Sequence, residues 1–470
     1  MRITTLLLLL ATLAYGQVTA KVDKVFERFN RGDSPGCALA VVRDGRIVYE
    51  RGYGMADLDH DIPITPSTVF HVASMSKQFT ATAIVLLARE GRLSLDDPVR
   101  KYVPEVPDFG VPITLRHLIQ HISGLRDQWE LLEMAGWRYS LDLITDDDVL
   151  DLVSRQKDLN FKPGEKFLYC NTGYTLLAQV VKRVSGKSLR EFTAERIFKP
   201  LNMTSTHFRD DHAEIVKRQA YGYVPDKGTF RLSVTNFDTV GATSLLTTVE
   251  DLAAWDRNFY DQRVGGAAWL AQMLERGKLN NGETINYAFG LEHGRYRGLA
   301  TVSHAGSDAG YRSDMVRFPS ERFTVICLAN SGSANPAQLN LRVADIYLAD
   351  VLKEPEKPAP RPRAFRLPQA SIPVPAVELA AFAGTYQSDE IELLYHVVVE
   401  DGKLVLKRLK AKPMALVPVG HDEFRLPIGR STSLRFVRGP GGKVTGMLFS
   451  SGRITNFRFS RMSASAAPTR

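Results

Sequence analysis

Three short stretches of this sequence carry side chains suited to acyl chemistry. In HVASMSKQFT (71–80), Ser74 stands three residues before Lys77. In FLYCNTGYTLLA, Tyr169 stands two residues before Asn171, and VSHAGSDAGYRS contains His304, Gly306 and Ser307. A serine hydroxyl becomes a nucleophile when a neighbouring base takes its proton. Residues three apart share a helix face, so the Lys77 amine can reach the Ser74 hydroxyl. The apolar run QFTATAIVLLAREGRL, ended by Gly91, predicts that Ser74 lies in the first turn of a largely buried helix. Burial and the positive end of the helix dipole both favour a neutral amine able to accept a proton. A first-turn backbone N–H is also left over by the helix ladder and is free to serve an oxyanion.

Each stretch alone has a plain structural reading. A second Ser-x-x-Lys, Ser154 and Lys157, ends the polar-faced segment DDDVLDLVSRQK, where a solvated face explains it. Tyr169 could fill a core, Asn171 could cap a helix, and His304 could sit half-buried on a strand. His117 and His121, four apart, would share a helix face, but no His-Glu-x-x-His pattern completes a metal site. They read as structural residues near a cleft, and no metal or other cofactor is expected. Trp129, Trp137 and Tyr139 could line an acyl pocket, but read first as packing of a helical lobe. Arg31-Gly32-Asp33 reads as chance. The sequence has no Gly-x-Ser-x-Gly elbow and no phosphate-binding glycine loop.

The elements that would position these residues follow from the rest of the chain. Its 470 residues, 44% hydrophobic and 24% charged, have the composition of a soluble globular protein of two or three domains. Residues 1–20, with Arg2 followed by a short apolar run, read as a cleavable signal peptide. This implies a periplasmic or secreted protein with no membrane span after cleavage. Cys37, Cys170 and Cys327, sparse and odd in number, read as small core residues rather than a disulfide framework.

Residues 21–352 form the predicted main domain. CALAVVRDGRIVYERGYG is a hairpin turning at Asp44-Gly45, and LATVSHAG, YRSDMVRFP and RFTVICLAN are three successive strands. Paired in one antiparallel sheet, they would be covered by the helix PAQLNLRVADIYLADVL. The mainly helical segment between would form a second lobe, with a cleft where the lobes meet. Residues 353–375 are a Pro-rich linker. Residues 376–462 read as a small all-β barrel, with turns at Asp401-Gly402 and Gly441-Gly442, and 463–470 as a disordered tail. From Glu356 onward the chain carries 18 Lys and Arg against 9 Asp and Glu. That excess reads as a solvated barrel surface, or as attraction to an anionic cell-envelope surface; nucleic acid is not an expected partner.

In order, Ser-x-x-Lys, Tyr-x-Asn and His-x-Gly resemble the signature of the serine β-lactamase and penicillin-binding-protein superfamily. The likeness is greatest to its class C-like branch of family VIII esterases, D-aminopeptidases and D-alanyl-D-alanine carboxypeptidases. ITLRHLIQHISGL and GATSLLTTVEDLAAW also look like family segments, and the resemblance covers roughly 22–352. It implies an α/β (α+β) fold, a five-stranded antiparallel sheet flanked by helices plus an all-helical lobe, and it likens the tail to a lipocalin-like barrel. It further implies that Ser74 is acylated and that Lys77 and Tyr169 move the proton. Asn171 would orient Lys77 and contact substrate. The N–H groups of Ser74 and Ser307 would form the oxyanion hole, and Gly306 would let substrate lie close to its strand.

His304 departs from the family pattern. Penicillin-binding proteins and efficient β-lactamases carry a lysine there, a fixed cation for the β-lactam carboxylate, whereas histidine is mostly neutral at pH 7. No counterpart of the deacylating Glu of class A enzymes is found. The expected function is therefore a serine hydrolase acting on an ester, a D-amino-acid amide or a peptide. A weak β-lactamase or carboxypeptidase is the first alternative. A catalytically weak cell-wall ligand-binding or scaffold protein is the alternative of another class.

Overall fold

A computed structural model describes residues 16–354, 376–427 and 432–463. The predicted signal segment up to residue 15, most of the linker and the tail beyond 463 lie outside the described residues. The chain divides into two compact units. One contains residues up to 97, 143–146 and 174–356; the other contains 98–142, 147–173 and the C-terminal part from 357.

The first unit is built on one antiparallel sheet. Its strands are β1 (Cys37–Arg43), β2 (Arg46–Tyr53), β3 (Glu292–Tyr296), β4 (Leu299–Asp308), β5 (Tyr311–Phe318) and β6 (Phe323–Ala329). They lie in the order β3-β4-β5-β6-β1-β2. The N-terminal hairpin therefore pairs with the last strands, Val41 opposite Val325, as the sequence predicts. Asp44 and Gly45 take φ of 51° and 73°, the turn that matches strand twist in a two-residue hairpin.

The sheet has one strand more than the five expected. Strand β3, EHGRY, is polar and largely exposed, so it shows no apolar alternation to read. It is held by the hairpin at Arg297-Gly298, by its ladder to β4, and by bonds of its own to Asn286, Leu274 and Asp345. One sheet face packs Leu39, Val41, Val325 and Cys327 against Val343 and Ala344 of the helix Pro336–Tyr347 and against Val22 and Phe26 near the N-terminus. On the same unit, the buried helix Lys77–Arg89 carries the first motif at its start.

The second unit joins the helical segment to the barrel. Its helical part includes Leu115–Ile119 and Gln128–Met134. Strands β7 (Gly384–Ser388), β8 (Leu393–Glu400), β9 (Lys403–Arg408), β10 (Met414–Ala415), β11 (Val417–Pro418), β12 (Glu423–Arg425), β13 (Ser433–Arg438), β14 (Val444–Ser450) and β15 (Phe457–Arg461) form a nearly closed nine-stranded sheet. Its interior is aromatic: Phe382 lies 4.6 Å from Phe436 and Tyr395 lies 4.5 Å from Phe459, centroid to centroid. All three cysteines are buried. No helix among the described residues is long and apolar enough to cross a membrane.

Candidate active site

The first unit brings Ser74, Lys77, His304, Gly306 and Ser307 onto neighbouring elements. Ser74 sits in a 3-10 turn, Ala73–Ser76, that runs directly into the helix Lys77–Arg89. Ser74 is half-buried, while Lys77 is fully buried. The Lys77 Nζ lies 3.2 Å from the Ser74 Oγ and donates to the Ala242 carbonyl at 2.6 Å. It also lies 5.5 Å from the centre of the Tyr174 ring. The amine is thus aimed at the hydroxyl and held there by a backbone oxygen. Ala73, just before Ser74, has φ of +51°. A residue with a Cβ pays strain in that conformation, as is common beside catalytic groups. The Ser76 hydroxyl donates to the Ala73 carbonyl and accepts from the Leu245 N–H, which fixes the turn.

Strand β4 lies against this turn. A Cβ on Gly306 would stand 2.3 Å from the Val72 carbonyl oxygen and 3.1 Å from the Ala73 Cβ. Glycine is required there so that β4 can approach the turn bearing Ser74. The same Cβ would also stand 2.3 Å from the Ser313 hydroxyl oxygen. Beyond Ser303, β4 is not paired to β3, and among the described residues its 304–308 end pairs with no strand on that side. Ala305 and Ser307 are exposed on it, and His304, Gly306 and Asp308 are buried.

His304 is engaged at both ring nitrogens: Nδ1 lies 2.7 Å from the Ala305 carbonyl oxygen and Nε2 lies 3.0 Å from the Tyr287 hydroxyl. The tautomer that satisfies both donates from Nδ1 and accepts at Nε2. Burial, and then the neighbouring Lys77, push its pKa down to about 3. A neutral ring held in this way supplies no cation for a substrate carboxylate.

Three residues that sequence reasoning missed tie this half of the site together. His71 Nε2 lies 3.0 Å from Asp308 Oδ2, and the Thr243 hydroxyl donates to the same oxygen at 2.8 Å. All three are buried. His71 precedes Ser74 by three residues, Asp308 follows Ser307, and Thr243 follows Ala242, which holds Lys77. One buried polar cluster therefore pins the segment that carries Ser74 and Lys77, the strand β4, and the segment whose Ala242 carbonyl holds the amine. The signal was present as polar residues at apolar positions, FHVA and GATS, but nothing local pairs them.

The second unit carries Tyr169 and Asn171. Asn171 opens the helix Asn171–Ser185. Its backbone N–H and its Nδ2 both donate to Asp127 Oδ2, at 2.7 and 2.8 Å. The Tyr169 ring lies 4.1 Å from the His121 ring, and the Arg453 guanidinium stands 5.0 Å from its centre. His117 and His121 have separate tasks: His117 caps its own helix, and His121 Nδ1 accepts from the Cys170 N–H at 3.1 Å. Burial pushes the Cys170 thiol up to about 12, so it is no nucleophile. Trp129 packs edge-on against Tyr139, 5.1 Å between centroids. Among the described residues, one group could hold a metal ion, the largely exposed trio Asp211, His212 and Asp238. Its His212 backbone N–H and ring already bond Asp238.

The beta-lactamase family model matches residues 22–349, most of the chain and all three motifs. The chain belongs to the beta-lactamase family. This family member is 32% identical over 356 residues to penicillin-binding protein 4* of Bacillus subtilis, covering 72% of this chain and 78% of that protein. It is 28% identical over 340 residues to the D-aminopeptidase of Gluconobacter oxydans, covering 71% of this chain and 63% of the relative. The D-aminopeptidase of Brucella canis is 30% identical over 311 residues, 65% of this chain. The chain thus spans only 58% to 63% of the length of these D-aminopeptidases. Among solved structures, the octameric penicillin-binding protein homologue from Pyrococcus abyssi superposes with a TM-score of 0.62 at 26% identity, over 94% of this chain and 99% of that one. The D-amino acid amidase of Ochrobactrum anthropi SV3 (TM-score 0.59, 24% identity, 71% of this chain and 99% of that one) shares the fold. By family, the chain is a serine hydrolase of the β-lactamase/transpeptidase fold.

Proposed function

We propose that the protein hydrolyses an amide, peptide or ester through an acyl-enzyme on Ser74, with a D-amino-acid amide or short peptide as the preferred class. The observation that carries this is the Lys77 amine, fully buried and 3.2 Å from the Ser74 hydroxyl. In this reading Ser74 Oγ attacks the carbonyl carbon while its proton passes to the basic group of Lys77 and Tyr169. The family's motif order assigns Tyr169 that exchange and Asn171 the substrate amide. The tetrahedral oxyanion is met by the N–H groups of Ser74 and Ser307. The C–N or C–O bond then breaks, the leaving group takes the proton, and water releases the acid from Ser74.

The names of the relatives support an amide or peptide over an ester. Neutral His304 argues against an efficient β-lactamase, since the β-lactam carboxylate lacks the usual fixed cation. Steady-state hydrolysis of D-alanine p-nitroanilide, p-nitrophenyl acetate and nitrocefin tests the assignment. The reading expects kcat/KM for the D-amino-acid anilide to exceed that for nitrocefin by at least about a hundredfold. Equal or faster nitrocefin turnover would make the protein a β-lactamase instead. A scaffold reading would be favoured only if Ser74→Ala bound and behaved as the native protein does in every assay.

A further inference from the structure

The C-terminal barrel reaches the second motif through a continuous set of contacts. Glu390, between β7 and β8, is buried, its side chain 4% exposed. Its carboxylate accepts from the Arg126 guanidinium at 2.7 Å and from the Lys157 N–H at 2.9 Å. That guanidinium, 1% exposed, also donates to Gln156 at 3.1 Å and lies 4.8 Å from the centre of Phe457, a β15 residue. Arg126 is then joined to the motif by its backbone: its carbonyl oxygen accepts from the Thr172 hydroxyl at 2.7 Å. The next residue, Asp127, holds Asn171 through both N–H groups described above.

A second set of contacts comes from the β14–β15 turn. Its backbone is locked to the helical segment: the Arg453 N–H donates to Glu130 at 3.0 Å, Asn160 donates to the Arg453 carbonyl at 3.0 Å, and the Thr455 N–H donates to Asn160 at 2.8 Å. So fixed, the turn sends the Arg453 side chain over the Tyr169 ring, with Nη1 3.5 Å from Asp127 Oδ2. A cation over an aromatic face is attracted to it and restrains the ring.

We infer that the barrel is a working part of the catalytic site, in which Glu390 and Arg453 are positioning residues that hold Asn171 and Tyr169 through Arg126 and Asp127. This rests on the reading of Tyr169 and Asn171 as site residues. Reacting groups misplaced by an ångström lose orders of magnitude in rate, while substrate binding changes less. A barrel that only stabilised the chain would lower its melting temperature and leave kcat alone.

The test uses the full chain with D-alanine p-nitroanilide, or whichever chromogenic substrate the native protein turns over. Glu390→Ala is expected to lower kcat about tenfold or more with KM within about twofold. Glu390→Gln, which keeps an oxygen for Arg126 and the Lys157 N–H, is expected to return to within about threefold of native. Arg453→Ala is expected to lower kcat about fivefold, with Arg453→Lys recovering part of it. Native kcat in a folded Glu390→Ala and in Arg453→Ala would overturn the inference. Should Glu390→Ala fail to fold, the half-exposed Arg453 decides alone: native kcat in Arg453→Ala overturns the inference. Ser74→Ala and Tyr169→Phe are run beside these. If either turns over substrate at the native rate, the catalytic reading itself fails and the inference falls with it.

Discussion

At the scale of single residues, His304 is a buried neutral ring beside Lys77. The ring is buried, engaged at both nitrogens and depressed to about pKa 3 from an ordinary 6.5. The unfolded chain therefore binds a proton between those values that the folded chain refuses, and stability must fall as pH drops from 6.5 towards 3. His304→Gln should remove about 2 kcal/mol of the stability lost between pH 7 and pH 5. Urea unfolding of both proteins at the two pH values measures this difference. An identical pH dependence in native and variant would mean that His304 titrates in the fold as it does in the unfolded chain. The same neutrality was legible in the sequence only as a choice of residue type. Its cause, enclosure by Tyr287 and the Ala305 carbonyl, was not.

At the scale of elements, the proposed catalysis requires β4 to approach the turn bearing Ser74 closely. Gly306→Ala would force β4 away from the Val72 carbonyl, since its Cβ has only 2.3 Å there. We expect kcat to fall by more than tenfold, and a loss of stability of about 1–3 kcal/mol as for other overpacked sites. Steady-state kinetics and thermal unfolding read the two effects separately. Asp308→Ala removes the oxygen shared by His71 and Thr243 and leaves these buried groups one partner fewer, with their mutual contact at 3.2 Å remaining. It should cost about 2–4 kcal/mol and lower kcat with little change in KM, whereas Asp308→Asn should recover part of both. A folded Asp308→Ala with native kcat would show that the cluster serves stability alone. The sheet strands were readable because β1, β5 and β6 are apolar and bounded by turn residues. Strand β3 was not, because a polar edge strand owes its existence to its neighbour. The His71–Asp308–Thr243 cluster joins positions up to 237 residues apart, and no local pattern encodes such a pairing.

At the scale of the whole molecule, the buried Arg126–Glu390 ion pair joins the barrel to the helical segment of the second unit. Burial pulls the Arg126 guanidinium below its usual pKa, and the Glu390 carboxylate partly offsets this. Removing one partner strands a buried charge. Glu390→Leu alone should therefore cost about 3–5 kcal/mol, and the double change Arg126→Met, Glu390→Leu should recover most of it. Equilibrium urea denaturation of the four proteins gives the coupling directly; additive losses would mean that the pair is solvated. The sequence marked the barrel by its turns and its aromatic strands, and the linker by its prolines. It could not show that residues 264 positions apart in Arg126 and Glu390 meet, since neither lies in a pattern that names the other. The three motifs were legible in their order because each has a type and spacing of its own. Their supports, Asp127, His121 and Arg453, were legible only once the chain was folded.

The central claim is that Ser74 is a nucleophile activated by Lys77. Intact mass after treatment with a fluorophosphonate, followed by peptide mapping, tests it most directly. The account predicts one adduct, on Ser74, lost in Lys77→Ala while that variant remains folded. A folded native protein with no adduct at Ser74, or an adduct formed equally fast in Lys77→Ala, would contradict it.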